Sequence, residues 1–260
     1  MTGTNELAVD PEALRALVRD KYRVVATEPS GAFHFHTGRA LAARLGYDPA
    51  TVDALPDAAV ESFAGVADPL ALRPLDEGER VVDLGAGAGF DCFVAAARVG
   101  RGGAVVGVDM TTEMLDKARS TARHLGLDHV EFRRGLVEDL PVEDGWADVV
   151  MANGVLNLVA DKQAAFAEAF RALRAGGHIA FADITLGTAV PAKAACDPEL
   201  WTDCIAGGLS VSGWQGLLRD AGFAERQVGP PTDTFGGAPG EANARAFQVV
   251  AHAFLARKPA

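Results

Sequence analysis

Val81-Val82-Asp83-Leu84-Gly85-Ala86-Gly87-Ala88-Gly89-Phe90 is the stretch on which the fold turns. Two β-branched residues lead into an acid, three glycines alternate with alanines, and an apolar helical pattern starts at Phe90. Glycine at this spacing lets the backbone turn sharply out of a strand and approach a ligand without interference from a Cβ atom. The spacing is not the dinucleotide fingerprint G-x-G-x-x-G, because the third glycine arrives one residue early.

Outward from this turn, strands and helices alternate. Short β-branched or apolar runs predict strands over Arg80 to Leu84, Ala104 to Asp109, His129 to Arg133, Ala147 to Ala152 and His178 to Asp183. Helical patterns lie between them at about 89–99, 111–125 and 161–174. Further on, Ser212 is expected to cap a helix that runs to Asp220 and stops at Gly222. Ala246 to Leu255 has strand character, and Gly229 to Gly240 reads as a hairpin loop joining two final strands. The sum is an α/β fold: a doubly wound, mostly parallel, Rossmann-like sheet of seven strands with an antiparallel end.

Upstream, Asp10-Pro11 starts a capped amphipathic helix, with proline at its first position. Ser30 to Gly38 is aromatic and loop-like, and short helices are expected over Arg39 to Leu45 and Asp57 to Ser62. Residues 1–75 therefore read as an N-terminal helical cap on a domain spanning 76–260.

Composition narrows the function classes. A formal charge of −11 disfavours nucleic acid or an anionic membrane as partner, since binding phosphate takes Lys and Arg. No window resembles a transmembrane span, and three cysteines, an odd number, give no disulfide framework, so a reducing cytoplasm is expected. The expected partner is a small-molecule substrate; the oligomeric state is left open.

In an open α/β sheet, ligands bind beyond the carboxyl ends of the strands. Gly85, Gly87 and Gly89 leave the first strand, and Asp109 ends the second, where a carboxylate can accept from both ribose hydroxyls. Asp83, two positions before the first glycine, points to S-adenosylmethionine, whose amino-acid end is gripped near the strand tip. A nicotinamide cofactor shares the glycine turn and the acid, and so stands as an alternative.

With these residues in place, the chain resembles a class I S-adenosylmethionine-dependent methyltransferase, and within that class the arsenite methyltransferase group. The resemblance runs from Val81 to Leu209. It includes Asp83-Leu84-Gly85-Ala86-Gly87-Ala88-Gly89-Phe90-Asp91-Cys92, Gly107-Val108-Asp109-Met110-Thr111 and Asn153-Gly154-Val155-Leu156-Asn157-Leu158. It continues through Phe181-Ala182-Asp183 to Leu200-Trp201-Thr202-Asp203-Cys204-Ile205-Ala206-Gly207-Gly208-Leu209.

The resemblance implies that Asp83, Gly85, Gly87, Gly89, Asp109 and Met110 hold the cofactor. It implies that Leu136 and Val137 pack on the adenine, with Glu138 or Asp139 near its exocyclic amine, and that Asn153 faces the transferring methyl. It further implies trivalent arsenic bound by cysteine thiolates, with Cys92 and Cys204 on two of the metalloid positions. Gly154 stands where another thiol is expected, and Phe33-His34-Phe35-His36 stands where many members carry a cysteine pair. Cys196 or an external thiol are the substitutes.

The residues allow further roles. Cys92, in the first turns of a helix, is either placed for a lowered thiol pKa or, since that helix packs on the sheet, a small buried hydrophobe. Cys204, flanked by Trp201 and Asp203, is expected at the pocket mouth. Asn157, one helical turn after Asn153, is expected to share its face. His34 and His36 alternate with phenylalanines and are expected to line the substrate pocket, as is Asp183 at the end of the fifth strand; no third ligand accompanies the histidines, so no metal site is expected.

Three readings compete with methyl transfer to thiol-bound As(III). One is O-, N- or C-methylation of a small organic metabolite. The others are a nicotinamide-dependent oxidoreductase and a non-catalytic cofactor-binding protein.

Overall fold

The computed structural model describes residues 9–188, 191, 201–202 and 206–260; Cys196 and Cys204 lie outside the described residues. Five parallel strands build most of the sheet: β1 (Arg80–Leu84), β2 (Ala104–Asp109), β3 (Val130–Arg134), β4 (Ala147–Asn153) and β5 (Leu173–Leu186). Two more, β6 (Ala224–Val228) and β7 (Val249–Arg257), complete it in the order β3-β2-β1-β4-β5-β7-β6, with β7 antiparallel to both neighbours. This is the doubly wound sheet with an antiparallel end that the alternation of elements predicts.

Before the sheet come α1 (Pro11–Thr27), α2 (Gly38–Arg44), α3 (Pro49–Asp53) and α4 (Asp57–Val60). Asp10 caps α1 as expected, accepting from the backbone N–H groups of Glu12 and Ala13. Between and after the strands lie α5 (Phe90–Val99), α6 (Thr112–Leu125), α7 (Lys162–Ala172), α8 (Val211–Asp220) and α9 (Glu241–Ala246).

Several element boundaries differ from expectation. The fifth strand begins at Leu173 rather than His178, because a bulge follows the Ala147–Leu173 pair before Val149 meets His178. It runs on to Leu186 because β7 pairs with it along its whole second half. The cap of α8 is Ser210, whose hydroxyl accepts from Gly213 N, and not Ser212. The connection from β6 to β7 is longer than a hairpin loop, since it contains α9.

Side chains alternate across the sheet with period two, and this decides what faces the site. Val81, Val105, Val149 and Met151 enter the core layer that holds α5 and the N-terminal residues Leu41, Tyr47 and Phe63. Val82, Val106, Val108, Val150, Ile179 and Phe181 enter the opposite layer, with Phe166 of α7 and Trp214 of α8. Asp83, Asp109 and Asn153 are in phase with the first set and face α5 and those N-terminal residues. Asp183 is in phase with Phe181 and faces the other way.

Among the described residues, no helix is long and apolar enough to cross a membrane.

Candidate active site

Leu84 pairs with Val108 on one side and with Ala152 on the other. Asp109 and Asn153 therefore emerge one residue beyond it, flanking the glycine turn at the carboxyl end of the sheet. Here successive crossovers run outward in opposite directions from β1, so the strand ends part and leave a crevice. Gly85 and Gly87 have φ of +65° and +53°, conformations that favour glycine. A Cβ on Gly85 would come within 2.5 Å of Val155, so the turn also packs too closely for a side chain.

The crevice is a cleft with an empty volume of about 1070 Å³, open water at its mouth included. Its floor carries Asp83, Gly85, Gly87 and Asp109, and its sides Met110, Leu136, Val137, Glu138 and Asn153. All of these were expected at the cofactor, and the structure brings them together. Gly89 is the exception: it lies off the cleft, and a Cβ there would come within 2.7 Å of Phe132, so it is a packing glycine.

Each acid in the cleft already has a partner. Asp109 accepts from Gly87 N at 2.9 Å and Thr111 N at 2.7 Å, bonds that oppose the upward push of burial on its pKa. Glu138 accepts from Arg15 of α1 at 3.0 Å across the mouth. Asp83 accepts the thiol hydrogen of Cys92, and burial, reinforced by Asp91, holds its pKa well above the carboxylate range. Asp91 accepts from Tyr47 Oη at 2.6 Å and Asn153 Nδ2 at 3.0 Å; burial raises its pKa to about 6 against those bonds.

Asn153 differs from its expected role. Its Oδ1 accepts from Val66 N at 2.8 Å, and its Nδ2 donates to Asp91 and to Tyr47. The amide bonds inside the protein, tying the segment at Val66 to the start of α5. Sequence reasoning did not single out Tyr47, Asp91 or Arg15. Asp91 was within reach, as an acid in the first turn of the helix after the glycine loop. Tyr47 and Arg15 act across 44 to 123 positions of chain and carry no local signal.

Other expectations are corrected. Cys92 is fully buried, with its sulfur toward Gly107 and Asp83 and not in the cleft; burial, then the Asp83 charge, pushes its thiol pKa up rather than down. Asp183 is held by Asn157, accepting from its N at 3.1 Å and its Nδ2 at 2.8 Å, so Asn157 turns to the far layer instead of joining Asn153. Trp201 packs its ring 4.5 Å from the Lys162 ammonium and also lies off the cleft.

His34 and His36 face the β6–β7 connection. His34 lines a separate cavity with Phe235 and Pro239, and His36 Nε2 is 3.1 Å from Gly236 O. Neither reaches the cleft. Cys204 lies outside the described residues. Among the described residues, no three His, Cys, Asp or Glu side chains gather as metal ligands.

Charge tests what the cleft can hold. Asp83, Asp91, Asp109 and Glu138 line it, and among the described lining residues Arg15 is the one cation. A diphosphate would meet repulsion here. A ligand with a sulfonium and an α-ammonium group meets complementary charge, and apolar Leu136 and Val137 suit an adenine face. Fold and cleft together are those of a methyltransferase domain.

Residues 75–222 match the family described as a methyltransferase domain, and the chain belongs to it. It is 37% identical over 251 residues to an arsenite methyltransferase of Halobacterium salinarum, covering 90% of this chain and 64% of that one. The human arsenite methyltransferase is 32% identical over 152 residues, 55% of this chain and 40% of that one. The chain thus spans less than two thirds of either relative. The crystal structure of an arsenic(III) S-adenosylmethionine methyltransferase from Chlamydomonas reinhardtii aligns with TM-score 0.60 at 30% identity, covering 86% of this chain and 75% of that one. Within its family the chain therefore resembles the arsenite methyltransferases.

Proposed function

We propose that this chain transfers a methyl group from S-adenosylmethionine to a small molecule, with thiol-bound As(III) as the acceptor. The observation that carries the reading is the internal pairing of every carboxylate in the cleft. An acceptor that must lose a proton calls for a free base, and the described lining residues include no histidine. Arsenic(III) attacks through a lone pair and needs none. The arsenite methyltransferases among the relatives support the same acceptor.

S-adenosylmethionine supplies an electrophilic methyl on a sulfonium and a thioether leaving group. The protein's part is positioning and removal of water. Asp109 keeps lone pairs free for ribose hydroxyls beyond its two backbone bonds. Leu136 and Val137 offer an apolar face to the adenine, and Asp83 lies toward the methionine end. Phe63, Phe90, Val155 and Leu158 line the apolar acceptor side. Residues 1–75 act as the cap and 76–260 as the catalytic domain. Thiols come from Cys204 and from an external thiol compound, and a reducing cytoplasm would keep them free.

The test is incubation with S-adenosylmethionine, As(III) and glutathione, followed by mass spectrometric detection of methylated arsenic. Methylated arsenic that disappears in Cys204→Ser supports the proposal. Its absence with wild-type protein overturns the arsenic acceptor.

One observation favours a second reading, an organic acceptor. Cys92 is sealed away from the cleft and Gly154 lines it, so two positions linked to metalloid binding present no thiol there. Turnover of S-adenosylmethionine with an organic nucleophile, and none with As(III), would establish that reading. No turnover with either, despite saturable binding, would mark a non-catalytic binding protein.

A further inference from the structure

Tyr47 enters the site from the loop between α2 and α3, far along the chain from the glycine turn. Its hydroxyl donates to Asp91 Oδ1 at 2.6 Å and accepts from Asn153 Nδ2 at 3.0 Å. Asn153 donates its other amide hydrogen to Asp91 Oδ2 at 3.0 Å. Each Asp91 oxygen thus has one fixed donor and keeps a further lone pair. Tyr47 is 4% exposed and Asp91 8%, so water offers these groups little alternative. Around them Tyr47 stacks edge-on against Phe63 and Phe90, with centroids 5.5 and 5.0 Å away, which locks the ring.

Asp91 lines the cleft, as Asp83 does. Two buried carboxylates in one cleft, where Arg15 at Glu138 is the one lining cation among the described residues, form an incomplete arrangement. A positive ligand group entering there would complete it. The cap fixes one of the two acids, and the thiol of Cys92 fixes the other.

We propose that Tyr47 is a positioning residue of the cofactor site: with Asn153 it holds the Asp91 carboxylate as a receptor for the α-ammonium group of the methionyl half. This rests on the S-adenosylmethionine reading above. It makes the cap part of cofactor recognition. A cap that only shielded the acceptor would have no reason to orient an acid on the floor of the cleft.

The groups facing Asp91 are Tyr47 from the cap, Asn153 from β4, Asp83 from β1, Asp68 from the segment before β1, and Cys92 and Arg98 from its own helix. Burial is the largest influence and raises the pKa of both acids, that of Asp91 to about 6.

The experiment is calorimetric titration of the full chain with two probes. S-adenosylhomocysteine carries the α-ammonium group, and 5′-methylthioadenosine keeps the adenosine thioether without the amino acid. Tyr47→Phe keeps the ring packing and removes the hydroxyl. We expect it to weaken S-adenosylhomocysteine about tenfold, as for one hydrogen bond to a charged group, and to leave methylthioadenosine within about twofold. Losing the donor also raises the pH at which Asp91 takes up its proton. The acid limb of the S-adenosylhomocysteine profile should then move to higher pH in the variant.

Equal losses for both probes, or an unchanged S-adenosylhomocysteine profile, would overturn the proposal. Should Tyr47→Phe fail to fold, the wild-type protein suffices. Its affinity for S-adenosylhomocysteine should fall as pH drops below 6 while that for methylthioadenosine stays level, and parallel profiles would overturn the proposal. If neither probe binds the wild-type protein, the cofactor reading itself fails, and this proposal with it.

Discussion

Cys92 Sγ donates to Asp83 Oδ2 across 3.2 Å, with the cysteine 0% and the aspartate 3% exposed. A thiol so placed is a hydrogen-bond donor, and ionising it would set a second negative charge beside a buried carboxylate. Alkylation at pH 8, mapped by peptide mass spectrometry, should label Cys92 far more slowly in the native protein than in urea. Replacing it with alanine removes the donor and leaves a small cavity, at a cost of about 1–3 kcal/mol in a denaturant titration. Rapid labelling of the native thiol would restore Cys92 as a candidate metalloid ligand.

What could be read in advance follows from how local each signal is. The glycine turn, the strand before it and Asp109 sit within about one βαβ unit, and their pattern predicted both elements and placement. Residue phase within a strand is also a local signal, and Asp183 carries it. Its alternation with Phe181 sends it to the α7 layer, and that phase excludes it from the cleft. Cys92 illustrates a different limit. Its place near a helix N-terminus favours thiolate, but packing against Gly107 and Asp83 outweighs the dipole. The Tyr47–Asp91–Asn153 cluster was out of reach because it depends on tertiary contacts between the loop after α2, the start of α5 and the end of β4.

Gly154 tests the arsenic reading directly. Its φ is +71°, and a Cβ there would lie 3.2 Å from Val66 Cγ1. Gly154→Cys should destabilise the fold by about 1–2 kcal/mol through left-handed strain, with Gly154→Ala as the strain control. The added thiol lines the cleft, so As(III) methylation by Gly154→Cys should exceed that of Gly154→Ala several-fold. Equal rates in the two variants would show that a thiol at this position contributes nothing.

Arg15 reaches from α1 to the cleft, donating from Nη2 to Glu138 at 3.0 Å, while its buried Nε has no hydrogen-bond partner among the described residues. A buried guanidinium nitrogen without a partner costs stability unless a ligand atom satisfies it. Arg15→Ala should therefore change folding stability by less than about 1 kcal/mol, as expected for a partly exposed ion pair. It should weaken S-adenosylmethionine binding by about three- to tenfold by calorimetry, the loss of one hydrogen bond to the ligand. Lysine should not restore the affinity, since it lacks the planar fork that can serve Glu138 and the ligand together. Unchanged affinity in Arg15→Ala would confine Arg15 to a surface contact.

Lys162 provides a stability test with a defined sign. The side chain is buried at the start of α7, and Nζ donates to Asn157 O at 3.1 Å and Val159 O at 2.7 Å. Burial lowers its pKa from 10.5 to about 7, against the pull of Asp183. Between those values the unfolded chain holds a proton that the folded chain has released, so stability rises with pH across that window. The penalty for the buried charge is fully present below pH 7. Lys162→Met removes the titration while keeping an unbranched apolar stem. The stability of the wild type minus that of the variant, from urea melts at each pH, should climb between pH 7 and 10 by at most about 1.4 kcal/mol per pH unit. Using the difference cancels every group the two proteins share. A flat or falling difference would mean that the ammonium stays charged in the fold, held by its two carbonyls and the Trp201 ring.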